Sequence, residues 1–111
     1  MSTSLTPPMM SLDDMRLALE TASSMVIDIR ESHEHATGVA SGAQLIPMSQ
    51  LGDRLTELPQ AGAAPFMVVC RTQQRSSNVV AQLQRMGYVN ASYVHGGMSQ
   101  WAQQGWPMVS P

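Results

Sequence analysis

The sequence predicts one α/β domain built around a mainly parallel sheet. Short apolar runs typical of buried strands alternate along the chain with segments of helical period, as in strand–helix–strand units. The run at 66–69 is apolar at every position, which is typical of a strand buried on both faces of a parallel sheet. The length of 111 residues is close to the commonest size of a single domain.

The N-terminal segment predicts a leader followed by one helix. Residues 1–8 are rich in Ser, Thr and Pro, which predicts a flexible leader ahead of a domain spanning 9–111. Ser11 and Asp14 resemble a capping box, in which each side chain bonds the other residue's backbone N–H at a helix start. Apolar residues at helical spacing follow, and we therefore expect a helix over 12–20.

The middle of the chain predicts strands separated by helical segments. The β-branched run at 25–29 predicts a buried strand, and the polar residues 31–36 predict a single helical turn. Residues 43–47 predict a second short strand that ends at a proline. Leucines at helical spacing predict a helix over 48–58, ahead of the apolar strand at 66–69.

The C-terminal part predicts two helices on either side of one more strand. Apolar residues at helical spacing predict a helix over 76–86, which Gly87 closes. Residues 92–94 predict a strand, and Gly96–Gly97 leads into a last helix that holds Trp101.

Charge and cysteine content narrow the classes of function. A net charge of −2 does not favour nucleic acid as a partner, and all six basic residues are arginines, so no lysine is present for Schiff-base chemistry. The only cysteine, Cys70, cannot form an internal disulfide, which fits a reducing compartment. No segment resembles a signal peptide or a membrane span. We therefore expect a cytoplasmic location and no membrane partner.

Cys70 lies where the strand at 66–69 ends and the next helix is about to begin. The first N–H groups of a helix have no partner within the helix, and together with the helix dipole they favour an anion. Arg71 and Arg75 add positive charge nearby, and thiolates in such surroundings are reactive nucleophiles. The sequence therefore predicts Cys70 as the nucleophile of a site for a sulfur anion or an oxyanion.

The other loop residues predict substrate binding. Thr72, Gln73 and Gln74 carry no titratable group, so we expect them to contribute backbone N–H donors aimed at the sulfur. Arg75 on the first turn of a helix opposes the helix dipole, and anion binding would account for its position. Arg71 is expected either to bind the same anion or to point into solvent.

The remaining polar residues predict support rather than catalysis. Asp28 and Arg30, at the end of the strand 25–29, are expected to form a structural ion pair. The histidines at 33, 35 and 95 could in principle join Cys70 around zinc, but their spacing and the lack of a second cysteine do not favour a metal site. We expect no metal and no cofactor.

Four segments resemble, in order, motifs of the single-domain rhodanese family of sulfurtransferases. They are the D-x-R-E strand end at 27–31, the G-A and I-P pairs at 42–47, the C-x-x-x-x-R loop at 70–75, and the G-G-x-x-x-W and G-x-P motifs at 96–107. The resemblance covers about residues 25–108. It implies a rhodanese-like fold, with a five-stranded parallel sheet flanked by helices.

The same resemblance implies an activity. Cys70 would take a sulfane sulfur from a small donor, such as thiosulfate, a polysulfide or a low-molecular-weight persulfide. The resulting persulfide would be held by loop amides and passed to a thiophilic acceptor, such as cyanide, a small thiol or a partner protein.

Other classes of function share these residues. Cysteine phosphatases and arsenate reductases also hold a thiolate in a loop of amides closed by arginine, but that loop is one residue longer. Four residues separate Cys70 from Arg75, which predicts a ring of amides sized for one sulfur atom. A persulfide carrier or a non-catalytic rhodanese-like binding module would use the same residues, and the sequence leaves that alternative open.

Overall fold

A computed structural model of the chain describes residues 6–111, and in this range five strands form one sheet. All of its strand pairings are parallel, and the strand order is β1-β5-β4-β2-β3. The strands are β1 (Met9–Met10), β2 (Met25–Asp28), β3 (Gln44–Leu45), β4 (Phe66–Val69) and β5 (Ala91–Val94). The predicted five-stranded parallel sheet is therefore confirmed.

Helices cover both faces of this sheet, as predicted. One buried cluster joins the sheet to α3 and α4, and a second joins it to α1 and α5. No helix in residues 6–111 combines the length and the apolar character that a membrane crossing requires. The helices are α1 (Leu12–Thr21), α2 (Ser32–His35), α3 (Met48–Leu51), α4 (Gln74–Arg85) and α5 (Gly97–Gln103).

Strand β4 lies at the centre of the sheet and is buried at all four positions. Because side chains alternate along a strand, Phe66, Val68 and the following Cys70 face the cluster under α3 and α4. Met67 and Val69 face the cluster under α1 and α5. The apolar run at 66–69 is therefore the two-sided strand that the sequence predicts.

The start of α1 has the predicted capping box. The Ser11 Oγ accepts the backbone N–H of Asp14 at 3.0 Å, and the Asp14 carboxylate accepts the backbone N–H of Ser11 at 3.1 Å. Both N–H groups would otherwise lack a partner at the helix start. The helix ends at Thr21 and is capped by Ala22, whose φ of 52° lies in the left-handed region.

The prediction of one continuous helix over 48–58 is wrong, because the helix is interrupted in the middle of this range. Helix α3 ends at Leu51, and a separate 3₁₀ turn covers Leu55–Glu57. Gly52 ends α3, since glycine loses more backbone entropy in a helix than any other residue. Smaller shifts of boundary occur at β3, which is shorter than expected, and at α4, which begins at Gln74 rather than Ser76.

The N-terminal strand β1 is an element that sequence periodicity did not predict. It has only two residues, too few to show an alternating pattern, and it pairs with β5 through Met9 and Met10. The carbonyl of Pro8 also accepts the N–H of Tyr93 at 3.0 Å. Of the predicted leader, residues 1–5 lie outside the described range.

We predict that Met15→Ala destabilises the domain by about 2–5 kcal/mol, because it empties a fully buried position between α1 and the sheet. Leu17→Ala on the same helix is the control, since the Leu17 side chain is 58% exposed. Urea unfolding of the two variants measures the difference. Equal losses in both variants would contradict this account of α1 packing.

Candidate active site

The loop after β4 lies at the edge of the sheet where the parallel strands have their carboxyl ends. Ligands bind at this edge in open α/β sheets, close to the N-termini of helices. Cys70 follows the last residue of β4, and α4 begins at Gln74, so the turn between them is short. Cys70 is only 1% exposed, and its thiol lies inside the turn rather than on the surface.

The Cys70 sulfur is bonded to Ser76, a residue that the sequence analysis did not select. The Ser76 backbone N–H donates to Cys70 Sγ at 3.4 Å, and the Cys70 thiol donates to Ser76 Oγ at 3.3 Å. The Ser76 hydroxyl in turn donates to the Gln73 carbonyl at 3.2 Å. Its place in the first turn of α4 is the sequence signal that could have found it, since N–H groups there are free to bond the sulfur.

Arg75 is held by Glu34, which is the second site residue that the sequence analysis missed. The guanidinium donates two bonds of 2.7 Å to the two carboxylate oxygens of Glu34, in a fork-to-fork arrangement. These bonds lower the pKa of Glu34 to about 2 and raise the pKa of Arg75. Glu34 follows β2, the neighbour of β4 in the sheet, and that adjacency brings the two residues together.

The Glu34 carboxylate is fixed by a second set of contacts around α2. It accepts the backbone N–H of Glu31 at 3.0 Å, across the first turn of that helix. The Glu31 carboxylate accepts the hydroxyl and the backbone N–H of Ser49, at 2.7 and 3.0 Å. These bonds from Ser49 lower the pKa of Glu31. The chain of contacts joins α2, α3 and α4 around the cysteine loop.

Arg71 differs from Arg75 in having a free side chain. It is exposed, and within residues 6–111 its guanidinium makes no ion pair or side-chain hydrogen bond. Thr72 and Gln74 are exposed beside it, and Gln73 is half-buried. Direct binding of a substrate anion by Arg75 stays a prediction, whereas the Arg71 guanidinium forms no ion pair with a carboxylate among the residues that the structure describes.

Asp28 and Arg30 form the ion pair that the sequence analysis expected. Arg30 Nη2 donates to Asp28 Oδ2 at 2.8 Å and to the Gly38 carbonyl at 2.8 Å, and Asp28 is fully buried. Arg30 Nε and the Arg30 backbone N–H also donate to the carboxylate. His35 Nε2 lies 3.4 Å from Asp28 Oδ1 without forming a hydrogen bond. This set ties the end of β2 to the segment that follows α2.

The start of α5 packs directly on the cysteine loop. The N–H groups of Met98 and Ser99 donate to the carbonyls of Cys70 and Arg71, each at 2.8 Å. Gly97, with a φ of 63°, lies against the same carbonyls, and a Cβ atom there would come 2.6 Å from both of them. A side chain at this position is therefore excluded by close backbone contact and by the left-handed conformation.

The residues considered for a metal site do not come together. Among residues 6–111, no group of three His, Cys, Asp or Glu side chains is placed to hold a metal ion. His33 and His95 are both exposed, whereas His35 is buried beside Asp28.

The geometry is that of a buried thiol held at the start of a helix, with an arginine at the rim of the loop whose side chain pairs with no carboxylate among residues 6–111. Residues 11–104 match the family model described as a rhodanese-like domain. The chain belongs to the rhodanese-like family. The family that the sequence motifs resemble is therefore confirmed.

Individual relatives agree with this assignment. A sulfurtransferase of Allochromatium vinosum is 33% identical over 96 residues, which cover 86% of this chain and 87% of that protein. The thiosulfate sulfurtransferase GlpE of Pseudomonas entomophila is 28% identical over 88 residues, 79% of each chain. The crystal structure of a rhodanese-related protein from Thermoplasma volcanium superposes with a TM-score of 0.80 at 26% identity, covering 94% of this chain and 99% of that one.

We predict that the ion pair between Glu34 and Arg75 makes stability depend on pH in the acid range. The native pKa of Glu34 lies below its ordinary value of 4.5, so the ionised carboxylate stabilises the fold above that value. This stabilisation is lost as the pH falls from 4.5 toward about 2.

Glu34→Gln should therefore unfold more easily than the parent protein near neutral pH, and the gap should close toward about pH 2. Glu57→Gln is the control, because Glu57 pairs with Arg54 on the exposed surface. Denaturant unfolding across the pH range measures both variants. A gap for Glu34→Gln that persists unchanged in acid would contradict the prediction.

Proposed function

We propose that this protein is a sulfurtransferase that carries sulfane sulfur as a persulfide on Cys70. The Cys70 thiolate attacks the outer sulfur of thiosulfate, the bond between the two thiosulfate sulfurs breaks, and its electron pair leaves with sulfite. The sulfur added to Cys70 Sγ then carries the negative charge. In the second step a thiolate or cyanide attacks this outer sulfur, and Cys70 leaves as the thiolate.

The geometry around Cys70 is the observation that carries this proposal. The sulfur lies at the start of α4, within bonding distance of the Ser76 N–H and hydroxyl. Both groups can donate to a thiolate, which is the form that attacks and the form that leaves. Arg75 already forms a two-bond ion pair with Glu34, so its guanidinium is not free to bind a tetrahedral oxyanion, as a phosphatase requires.

The free guanidinium of Arg71 supports an anionic donor. It is exposed at the rim of the loop, where a thiosulfate sulfonate could approach it while the outer sulfur enters toward Cys70. The relationship to GlpE, whose name describes it as a thiosulfate sulfurtransferase, supports the same class of donor. We therefore propose that thiosulfate is a better donor than an uncharged one.

The cysteine count supports transfer to a separate molecule. Cys70 is the only cysteine, so its persulfide cannot be resolved by a second thiol in the same chain. The acceptor is therefore a small thiol, cyanide or the thiol of a partner protein. A persulfide carrier for one partner would have the same chemistry with a narrower choice of acceptor.

Loading with a sulfur donor tests the proposal. We predict that incubation with thiosulfate adds the mass of one sulfur atom to the intact protein, and that cyanide removes it with release of thiocyanate. Cys70→Ser should show neither step, while Ser77→Ala, at the residue after Ser76 in α4, should behave as the parent protein. Phosphate release from an aryl phosphate, without any loading by thiosulfate, polysulfide or persulfide, would overturn the proposal.

We also predict that Arg71→Ala raises KM for thiosulfate by roughly tenfold, because the substitution removes the charge-assisted contact between the Arg71 guanidinium and the thiosulfate sulfonate. Its kcat should change little, since the side chain does not touch the Cys70 sulfur. Arg85→Ala is the matched control, an exposed arginine at the far end of α4. An equal effect on an uncharged sulfur donor, such as a neutral organic trisulfide, would contradict a role for Arg71 in binding the donor's charge.

A further inference from the structure

The side chain of Gln73 joins the cysteine loop to the turn before α5. Its Oε1 accepts the backbone N–H of Gly96 at 2.9 Å, across 23 residues of sequence. Gly96 is buried, with a φ of 83°. Its N–H therefore depends on an acceptor within the protein, and Gln73 supplies one from the loop itself.

The same turn fixes the direction of the peptide groups that follow Cys70. The carbonyls of Cys70 and Arg71 point at α5, where they accept the N–H groups of Met98 and Ser99. Residues 6–111 contain no cis peptide bond, and in a trans peptide the C=O and N–H point in opposite directions. The N–H groups of Arg71 and Thr72 are therefore turned away from α5.

The Cys70 side chain lies on the face of the sheet opposite α5. Cys70 belongs to the buried cluster under α3 and α4, whereas Met98 and Trp101 of α5 belong to the cluster on the opposite face of the sheet. Anchoring the loop carbonyls to α5 thus aims the loop N–H groups at the half of the molecule that holds the sulfur. Small losses of such alignment weaken the stabilisation of a charge at the reacting atom.

Gly97 is the steric counterpart of this anchor. A Cβ atom there would collide with the Thr72 carbonyl and would lie 2.6 Å from the carbonyls of Cys70 and Arg71. Three successive loop carbonyls therefore converge on one glycine. The approach that orients the loop amides is possible only because this position has no side chain.

We infer that Gln73 is a positioning residue for sulfur transfer, acting through its bond to Gly96. Its side-chain oxygen holds the turn before α5 against the cysteine loop, and this keeps the loop amides directed at the Cys70 sulfur and at a second sulfur bound to it. The part of this inference that concerns the second sulfur rests on the proposed persulfide chemistry. The part that concerns Cys70 itself does not.

Gln73→Met tests the inference, since methionine has a similar length and cannot accept the Gly96 N–H. We expect Cys70 in the folded variant to react more slowly with iodoacetamide at neutral pH, because fewer aligned donors favour its anion. We expect kcat for thiosulfate to fall roughly tenfold with little change in KM, and the isolated persulfide to decay faster. Gln103→Met is the control, an exposed glutamine on α5.

A merely structural role for Gln73 would give a different pattern. Loosening of the fold would expose the buried thiol, so alkylation would become faster rather than slower. The melting temperature would fall, while kcat per folded molecule would stay at the parent value. That pattern, or unchanged alkylation and persulfide lifetime, would overturn the inference. Slower alkylation with no loading by any sulfur donor would support the role toward Cys70 and count against the proposed function.

Gly97→Ala displaces the loop by a second route. Gly105→Ala is its matched control, because Gly105 has a φ of 73° against 63° for Gly97, and nothing lies within 4 Å of its Cβ position. Both variants bear the strain of a left-handed alanine, but only Gly97→Ala meets the loop carbonyls. We expect slow alkylation and low kcat in Gly97→Ala alone. Parent-like kinetics in a folded Gly97→Ala would count against the inference.

Discussion

The burial of strand β4 on both of its faces is the constraint on which the rest of the structure depends. Its four residues, Phe66–Val69, are shared between two apolar clusters, so neither the strand nor its register can shift without exposing a core. The alternation of side chains then decides where Cys70 points. The Cys70 side chain faces α4, whose first turn brings the Ser76 N–H to the sulfur. The Cys70 carbonyl instead accepts a hydrogen bond from α5.

Arg71 and Arg75 both follow Cys70 closely in the sequence, and the fold places them in different surroundings. Arg75 is neutralised by Glu34 in a two-bond ion pair, and the contacts of Glu31 with Ser49 extend this network to α3. Arg71 has no such partner within residues 6–111. The Arg75 charge is therefore paired within the half-buried frame of the site, and the exposed Arg71 guanidinium lies at the rim of the loop. Under the proposed function, this separation leaves Arg71 available to an anionic donor while Arg75 holds the loop in place.

Much of the fold was predictable because its elements carry strong local patterns. The capping box of Ser11 and Asp14, the apolar run at 66–69 and the long amphipathic helix α4 were all found from short-range sequence features. The errors lie where the pattern is short or misleading. Strand β1 has too few residues to show a period, and leucine spacing over 48–58 concealed the break at Gly52. The motifs that resemble the family lie outside both segments.

The sequence by itself determined the family of this protein and indicated its candidate site. It supplied a single cysteine, a spacing of four residues between Cys70 and Arg75, and the motifs that identify the rhodanese-like family. These are local facts, since they follow from residue type and spacing along a short segment. Only the tertiary structure decided which groups hold the cysteine loop in place. Glu34, Gln73 and Gly97 acquire their roles because parallel strands end at a common edge, which brings together segments that lie far apart along the chain.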